Sequence, residues 1–339
     1  MLPVAKPIRE IEAGGKLPGA LSDALLRATE PYIVRGLAAH WPLVEAARSS
    51  IDAADAYLRR FYQGATVGAM LGKPEIRGRF FYNQDLSGFN YYSARARLDA
   101  VLDEMKGYRE NPRPAAIYVG STTVDTVLPG LRANNDIDLG PRNALASIWI
   151  GNQTRIAAHY DLPDNLAVVA AGRRRFTLFP PEQLANLYVG PLDFNPAGQA
   201  ISLVDFAEPD DERFPRFREA LRHAQVAELD AGDAIFIPSM WWHHVEALTP
   251  FNVLVNYWWR QSPAYMDTPT NALMLALLTT RELPLEQRRA WQELFRHYIF
   301  EPAEENEAHL PPHARHALAP LDEERARALR ETLLNRLKR

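Results

Sequence analysis

The sequence predicts a mainly β protein built on a double-stranded β-helix, an antiparallel barrel of the jelly-roll type, with helical regions on both sides. From residue 115 to 262, short apolar runs alternate with turns of glycine, proline and asparagine, which is typical of such a barrel. Beyond residue 263 helix-forming residues predominate. We therefore divide the chain into an N-terminal mixed α/β region (1–114), a barrel (115–262) and a C-terminal helical region (263–339).

The N-terminal region is predicted to flank the barrel and to form part of its mouth. Its alanine, leucine and arginine content predicts helices at 22–29 and 44–61, and an amphipathic pattern predicts another at 95–107. Between them, segment 78–92 is rich in aromatic residues and is predicted to be strand-like. We expect these aromatic side chains to be core residues rather than a substrate platform.

The barrel is predicted to consist of apolar strands joined by tight turns. Segment 165–181 contains two apolar runs around Gly172, and 234–238 is a further run that follows a Gly-Asp turn. Two polar stretches that contain proline or glycine, 132–142 and 186–212, interrupt the pattern. They are predicted to be either substrate-binding loops or plain connections.

The C-terminal region is predicted to be helical at 271–280, 285–300 and 322–338, with two consecutive prolines between the last two helices. A helical region appended to a barrel can pair two subunits or pack on its own barrel. Both interpretations are open, and we expect a homodimer formed through the C-terminal helices.

Composition excludes several classes of function. The chain has 339 residues, a net charge of −4 and no cysteine, so it lacks both disulfides and the basic field that binds nucleic acid. Its longest apolar run, 272–278, is too short to cross a membrane, and we expect a cytoplasmic location. The sequence contains no phosphate-binding loop, dinucleotide-binding fingerprint or serine-hydrolase elbow.

A candidate metal site is the most informative feature of the chain. His159 and Asp161 are two residues apart, so on a β-strand they would point to the same face. A third ligand is available in His243, which follows the apolar run 234–238. Two histidines and one carboxylate form the facial triad of non-haem Fe(II) oxygenases, which leaves positions open for a co-substrate and O₂.

Two alternatives to this interpretation stay open. A His-x-Asp pair occurs by chance in chains of this length, and a histidine in an apolar strand is often a core residue. His244 is also a candidate third ligand; we favour His243, because the adjacent residue would point the other way on an extended backbone and could orient a ligand or contact substrate.

Several segments, in a consistent order, resemble the cupin-like JmjC group of Fe(II)- and 2-oxoglutarate-dependent oxygenases, among which the asparaginyl hydroxylases are most similar. The resemblance covers about 118–259, with a weaker echo at 31–42. The segments that carry it are HYD (159–161), GRRRFTLFPP (172–181), VDF (204–206) with ERFP (212–215), GDAIFIPSMWWHHV (232–245) and VNYW (255–258).

The resemblance implies roles for individual residues. His159, Asp161 and His243 match the iron ligands of the family. Arg174 stands where the family usually has a lysine that pairs with the distal carboxylate of 2-oxoglutarate, and Tyr118 matches a tyrosine that binds the same carboxylate. An arginine can replace the lysine as a bidentate fork, although it is longer and planar.

Three further positions follow from the same comparison. Asn165 and Asn256 match asparagines that line the family's site, and Ile156 stands where the nearest members have a threonine. The resemblance therefore implies that one hydrogen bond to the co-substrate is missing here. Without the resemblance, Tyr118, Asn165 and Asn256 have ordinary structural explanations.

Alternation along the strand after Gly172 places Arg174 on one face with Phe176 and Leu178. A cation on an apolar face requires an anionic partner, unless it lies at the strand end and reaches solvent. The first alternative, an anionic partner for Arg174, agrees with a role in binding 2-oxoglutarate.

The leading hypothesis is an Fe(II)- and 2-oxoglutarate-dependent dioxygenase that hydroxylates a C–H bond of a protein, a peptide or a small molecule. One alternative is a metal-binding cupin without catalysis, acting as a sensor or binding protein. Another is an isomerase or hydrolase that uses a different metal, because ligand type alone does not determine the metal.

Overall fold

The computed structural model describes residues 6–12, 21–196 and 198–338. The chain forms two compact units, Met1–Arg260 and Gln261–Arg339. Strands of the N-terminal region pair directly with strands of the predicted barrel, so both belong to the first unit.

The first unit is built on two mixed β-sheets. The six-stranded sheet contains, in spatial order, β1 (Lys6–Pro7), β12 (Gln225–Asp230), β11 (Arg173–Phe179), β14 (Trp242–Ala247), β9 (Arg155–His159) and β5 (Arg79–Phe80). The nine-stranded sheet contains β2 (Arg9–Glu12), β3 (Tyr32–Arg35), β13 (Ala234–Ile237), β10 (Asp164–Ala171), β15 (Asn252–Trp259), β8 (Leu145–Gly151), β7 (Ala116–Thr123), β4 (Thr66–Gly72) and β6 (Tyr91–Arg97).

An apolar core lies between the two sheets. Phe176 and Leu178 of β11 belong to the same buried cluster as Val169 of β10, Ile235 of β13 and Leu254 of β15. Each strand of this core alternates its side chains, so one face of each sheet is turned inward. The predicted fold class is confirmed: the protein is mainly β, and its two sheets have a jelly-roll arrangement without closing into one barrel.

Helices cover the outer face of the nine-stranded sheet. They are α1 (Pro42–Ser49), α2 (Ile51–Arg59), α3 (Leu98–Gly107) and α4 (Val124–Val127). A further short helix, α5 (Phe217–Arg222), lies elsewhere and precedes β12 in the chain. Leu43, Leu58 and Leu102 share a buried cluster with the strands beneath them. The helices therefore bury the outer face of this sheet, while its inner face packs against the six-stranded sheet.

Three predictions for the N-terminal region were wrong in detail. The helix expected at 22–29 is a single 3₁₀ turn, Leu25–Arg27. The single helix expected at 44–61 is two helices, because Ser50 is extended and its hydroxyl accepts the amide N–H of Ala53 at 3.0 Å, which caps α2. The helix expected from residue 95 begins at Leu98, because Arg95 to Arg97 complete the ladder between β6 and β4.

The second unit is helical, as predicted. Its helices are α6 (Pro269–Thr279), α7 (Leu285–Phe295), which continues into a π-helical turn (Arg296–Phe300), and α8 (Glu323–Leu337). Across the described ranges of the chain, none of the helices combines the length and the apolar composition needed to span a bilayer.

Candidate metal centre

A cavity of about 250 Å³ opens between the two sheets. Ile156 lines it, and so do the seven residues that the sequence analysis favoured for the site: Tyr118, His159, Asp161, Asn165, Arg174, His243 and Asn256. They come from strands far apart in sequence, which the sheet pairing brings together.

Strand pairing places the two histidines side by side. His243 of β14 lies directly opposite His159 of β9 in the antiparallel ladder, and the centroids of the two rings are 4.3 Å apart. Asp161 lies two residues beyond His159, the last residue of β9, and its Oδ2 is 3.6 Å from Nε2 of His243. Ligand atoms of the three side chains all lie within 4.8 Å of one another, so this group could hold one metal ion.

Backbone hydrogen bonds set the orientation of both rings. Nδ1 of His159 is 2.9 Å from the carbonyl oxygen of Ala157, and Nδ1 of His243 is 3.0 Å from that of Trp241. A carbonyl oxygen can only accept, so in each ring Nδ1 carries the proton and donates it. The Nε2 lone pair of each ring is then available to a metal ion.

The electrostatic environment also favours ligation. Burial, together with the neighbouring His159, lowers the pKa of His243, and the nearby carboxylate of Asp161 opposes this shift only in part. His243 is therefore neutral at neutral pH. Since a metal ion binds the neutral form of imidazole, no proton has to be displaced from this ring.

His244 lies on the opposite face of β14. Its ring packs on that of Phe206 at a centroid distance of 4.5 Å, and burial lowers its pKa to about 3. It does not line the cavity. The structure thus brings His243, and not His244, to His159 and Asp161.

The carboxylate of Asp161 is held by a network of side chains. Nδ2 of Asn165 and Nε1 of Trp258 each donate to its Oδ2 at 3.1 Å. Nδ2 of Asn256 donates to Oδ1 of Asn165 at 3.3 Å, and Nε1 of Trp149 donates to Oδ1 of Asn256 at 2.7 Å. Asn165 and Asn256 therefore orient a carboxylate as well as lining the cavity.

Arg174 is a buried cation in the wall of this cavity. It is only 2% exposed and shares the inner face of β11 with Phe176 and Leu178, which confirms the predicted alternation. Within the part of the chain that the structure describes, neither Nε nor Nη2 of Arg174 has a hydrogen-bond partner. Burial lowers its pKa, yet a guanidinium stays charged in proteins. The arrangement fits an anionic ligand that presents oxygen atoms to Nε and Nη2.

The remaining wall is largely apolar. The Tyr118 ring stacks on Trp149 at 5.8 Å and lies 5.8 Å from that of Phe80, and burial raises its pKa, so its hydroxyl stays protonated. Ile156 pairs with Phe80 in the β5–β9 ladder. It contributes no hydroxyl where the family resemblance implies one. These side chains make the wall around the polar groups of the cavity mainly apolar.

The two polar stretches differ in what they do. Pro196 and Ile201 of the 186–212 stretch line the cavity, whereas no residue of 132–142 does. In the second stretch Oδ1 of Asn135 instead accepts the amide N–H of Leu43 at 2.9 Å, and thereby holds the start of α1. Asn135 in that stretch therefore has a structural role.

Comparison with known proteins places these features in a family. A family model for the cupin-like domain matches residues 18–265. Over 163 residues the chain is 33% identical to HSPB1-associated protein 1 of Homo sapiens, covering 46% of this chain and 33% of that protein. It is 34% identical over 189 residues to lysine-specific demethylase JMJ31 of Arabidopsis thaliana, covering 50% of this chain and 34% of the relative.

A third relative is tRNA wybutosine-synthesizing protein 5 of Gallus gallus, 36% identical over 145 residues that cover 38% of this chain and 42% of the relative. The chain thus covers less than half the length of each of these three proteins. The match to the cupin-like domain extends over most of the chain, including every residue that lines the cavity. The chain belongs to the cupin-like domain family, in agreement with its JmjC-type sequence motifs.

Proposed function

We propose that this protein is an Fe(II)- and 2-oxoglutarate-dependent dioxygenase that hydroxylates a C–H bond of a protein, a peptide or a small molecule. The observation that carries the proposal is the pairing of two features in one cavity: the group of His159, Asp161 and His243, and the buried, unsatisfied guanidinium of Arg174. A metal site alone would suit many reactions. The buried cation adds a requirement for an anionic ligand beside the metal.

Arg174 is the only lysine or arginine among the described residues that line the cavity. A buried cation without an anion is costly, so it is retained where a ligand supplies the charge. A diacid such as 2-oxoglutarate can meet this need with one carboxylate and leave its other end for the metal. The apolar wall around Arg174 strengthens the pairing, because electrostatic attraction is larger where water is excluded.

Each residue then has a defined task. His159, Asp161 and His243 would hold Fe(II), which when bound supplies the activation of O₂ that is coupled to conversion of 2-oxoglutarate to succinate and CO₂. Arg174 would bind the far carboxylate through Nε and Nη2, and Tyr118, which stays protonated, would donate to it. Asn165 and Asn256 keep the carboxylate of Asp161 in place, while the apolar wall excludes water from the reacting groups.

The comparisons support the reaction class and leave the substrate open. One relative is named a lysine-specific demethylase and another a tRNA wybutosine-synthesizing protein. The net charge of −4 leads us to propose a substrate other than nucleic acid. A cytoplasmic location, with access to the cell's 2-oxoglutarate pool, completes the proposal.

The direct test is formation of succinate from 2-oxoglutarate by the purified protein with Fe(II) and O₂. We expect slow, Fe(II)-dependent succinate formation even without substrate, and a faster rate in a peptide or metabolite mixture that contains the substrate. Metal binding without any succinate would favour a non-catalytic metal-binding cupin. Turnover of a substrate with Zn(II) or Mn(II), in the absence of 2-oxoglutarate, would favour an isomerase or hydrolase.

We also propose that the second unit pairs two copies of the chain. Among its described residues only Ala326 is buried, whereas Leu278 and Phe300 are 75% and 76% exposed and Leu334 is also exposed. The concentration of large exposed apolar side chains in this unit supports the proposal of an interaction site there. A second copy offers the same surface, and an isologous contact would cover both at once.

Light scattering of the purified chain is expected to give the mass of a dimer. Replacing Leu278 and Phe300 together with glutamate is expected to give a monomer, because charges in the contact would lose their water. Leu184→Glu is the matched control, since Leu184 is a 54% exposed leucine of the first unit. A wild-type monomer, or dissociation by the control alone, would rule out this interface.

A further inference from the structure

The carboxylate of Asp161 receives two N–H donors on a single oxygen. Nε1 of Trp258 and Nδ2 of Asn165 both lie 3.1 Å from Oδ2, the oxygen that faces Nε2 of His243 at 3.6 Å. Two donors on one oxygen fix the plane of the carboxylate more firmly than either does alone. Asp161 itself lies beyond the end of β9, where its carbonyl oxygen accepts the amide N–H of Met240 at 2.9 Å.

These contacts belong to a closed circuit of side chains. From Asp161 the hydrogen bonds lead through Asn165 and Asn256 to Nε1 of Trp149. The rings of Trp149 and Trp258 pack edge-to-face, with a centroid distance of 5.8 Å and an interplanar angle of 89°. Nε1 of Trp258 in turn donates to Asp161, which closes the circuit. The circuit therefore connects the carboxylate of Asp161, which follows β9 of the six-stranded sheet, to β8, β10 and β15 of the nine-stranded sheet.

We infer that Trp258 is a positioning residue for the metal centre: its indole N–H holds Asp161 in the orientation that a metal ion requires, and Trp149 holds the indole. The inference rests on the proposed assignment of Asp161 as a metal ligand. Partners of this kind orient ligands and typically contribute about 10- to 100-fold to metal affinity.

The neighbouring residue offers a matched comparison. Trp259 is also an indole on β15, but it points to the other face of the sheet, where its ring stacks on Phe236 at 5.9 Å. Among the described residues its Nε1 has no partner. Replacement of either tryptophan by phenylalanine removes one indole N–H and part of a ring, yet only at Trp258 is a hydrogen bond to Asp161 lost.

The test is titration of the metal-free protein with Co(II), whose visible spectrum reports both affinity and coordination. Trp258→Phe is expected to weaken Co(II) binding by about 10- to 100-fold and to change the spectrum of the bound ion. Trp259→Phe is expected to leave affinity and spectrum unchanged. Trp149→Phe keeps the hydrogen bond from Trp258 to Asp161 but removes the hydrogen bond from Trp149 to Asn256 and alters the ring that packs on Trp258. We therefore expect Trp149→Phe to weaken Co(II) binding less than Trp258→Phe does.

The outcomes separate this inference from the proposed function. Unchanged Co(II) affinity and spectrum in folded Trp258→Phe would overturn the positioning role, even if wild-type protein binds metal tightly. Should Trp258→Phe fail to fold, an unchanged affinity in Trp149→Phe would overturn the inference in the same way. Failure of wild-type protein to bind Co(II), Fe(II) or Zn(II) would instead overturn the metal centre itself.

Discussion

Replacing Arg174 with methionine is expected to raise the KM for 2-oxoglutarate by about 100-fold or more while leaving Fe(II) binding unchanged, because loss of one partner of a buried charge pair costs several kcal/mol. Methionine keeps the length and apolar character of the side chain but offers no donor to a carboxylate. The measurement is succinate formation against 2-oxoglutarate concentration, with iron content determined on the same preparation.

Arg175→Met is the matched control for this change. Arg175 is the next residue of β11, but it lies on the outer face, where it pairs with Glu228 at 2.7 Å. We expect its KM to be that of wild type. Arg174→Met should also leave thermal stability unchanged or raise it, since an unpaired buried charge is removed from an apolar site. An unchanged KM in Arg174→Met would exclude Arg174 from the binding of 2-oxoglutarate.

Replacing His243 with alanine is expected to abolish 2-oxoglutarate turnover and to weaken metal binding by about 100-fold or more, since one of three protein ligands is lost. His159→Ala should have the same effect, because the two rings lie side by side in the β9–β14 ladder. The measurement is equilibrium binding of Fe(II) under anaerobic conditions, followed by succinate formation in air.

His244→Ala is the control that the chain itself provides. His244 is buried like its neighbour, yet its ring packs on Phe206, away from the cavity. This variant is expected to lose stability through the cavity that it creates and to keep its affinity for metal. The reverse result, with metal lost in His244→Ala and kept in His243→Ala, would reverse the assignment of the third ligand.

The sequence was sufficient to predict features that depend on local geometry. Alternation along β11 identified the inward face of Arg174, and an extended backbone separated His243 from His244. The spacing of His159 and Asp161 predicted that the two side chains lie close together, as they do, although Asp161 lies beyond the end of the strand that was expected to contain it. Local rules apply here because the positions concerned are close in sequence.

Other features arise only from tertiary pairing. The position of His243 opposite His159 depends on the register of two strands that are far apart in the chain. The same is true of Trp149, whose donor reaches Asn256 across the β8–β15 pair, and no sequence signal pointed to it. By contrast, the end of α1 was signalled by Ser50 with Asp52 close behind it, a capping pattern that the helix prediction overlooked.

An anaerobic titration tests most directly whether one cavity holds both the metal and the 2-oxo acid. Apoprotein receives Fe(II) and then 2-oxoglutarate, while the visible charge-transfer band of the chelated complex is followed. We predict a band in wild type, none in His159→Ala, and in Arg174→Met a band only at much higher 2-oxoglutarate concentration. Tight Fe(II) binding by wild type without any band at saturating 2-oxoglutarate would contradict the account.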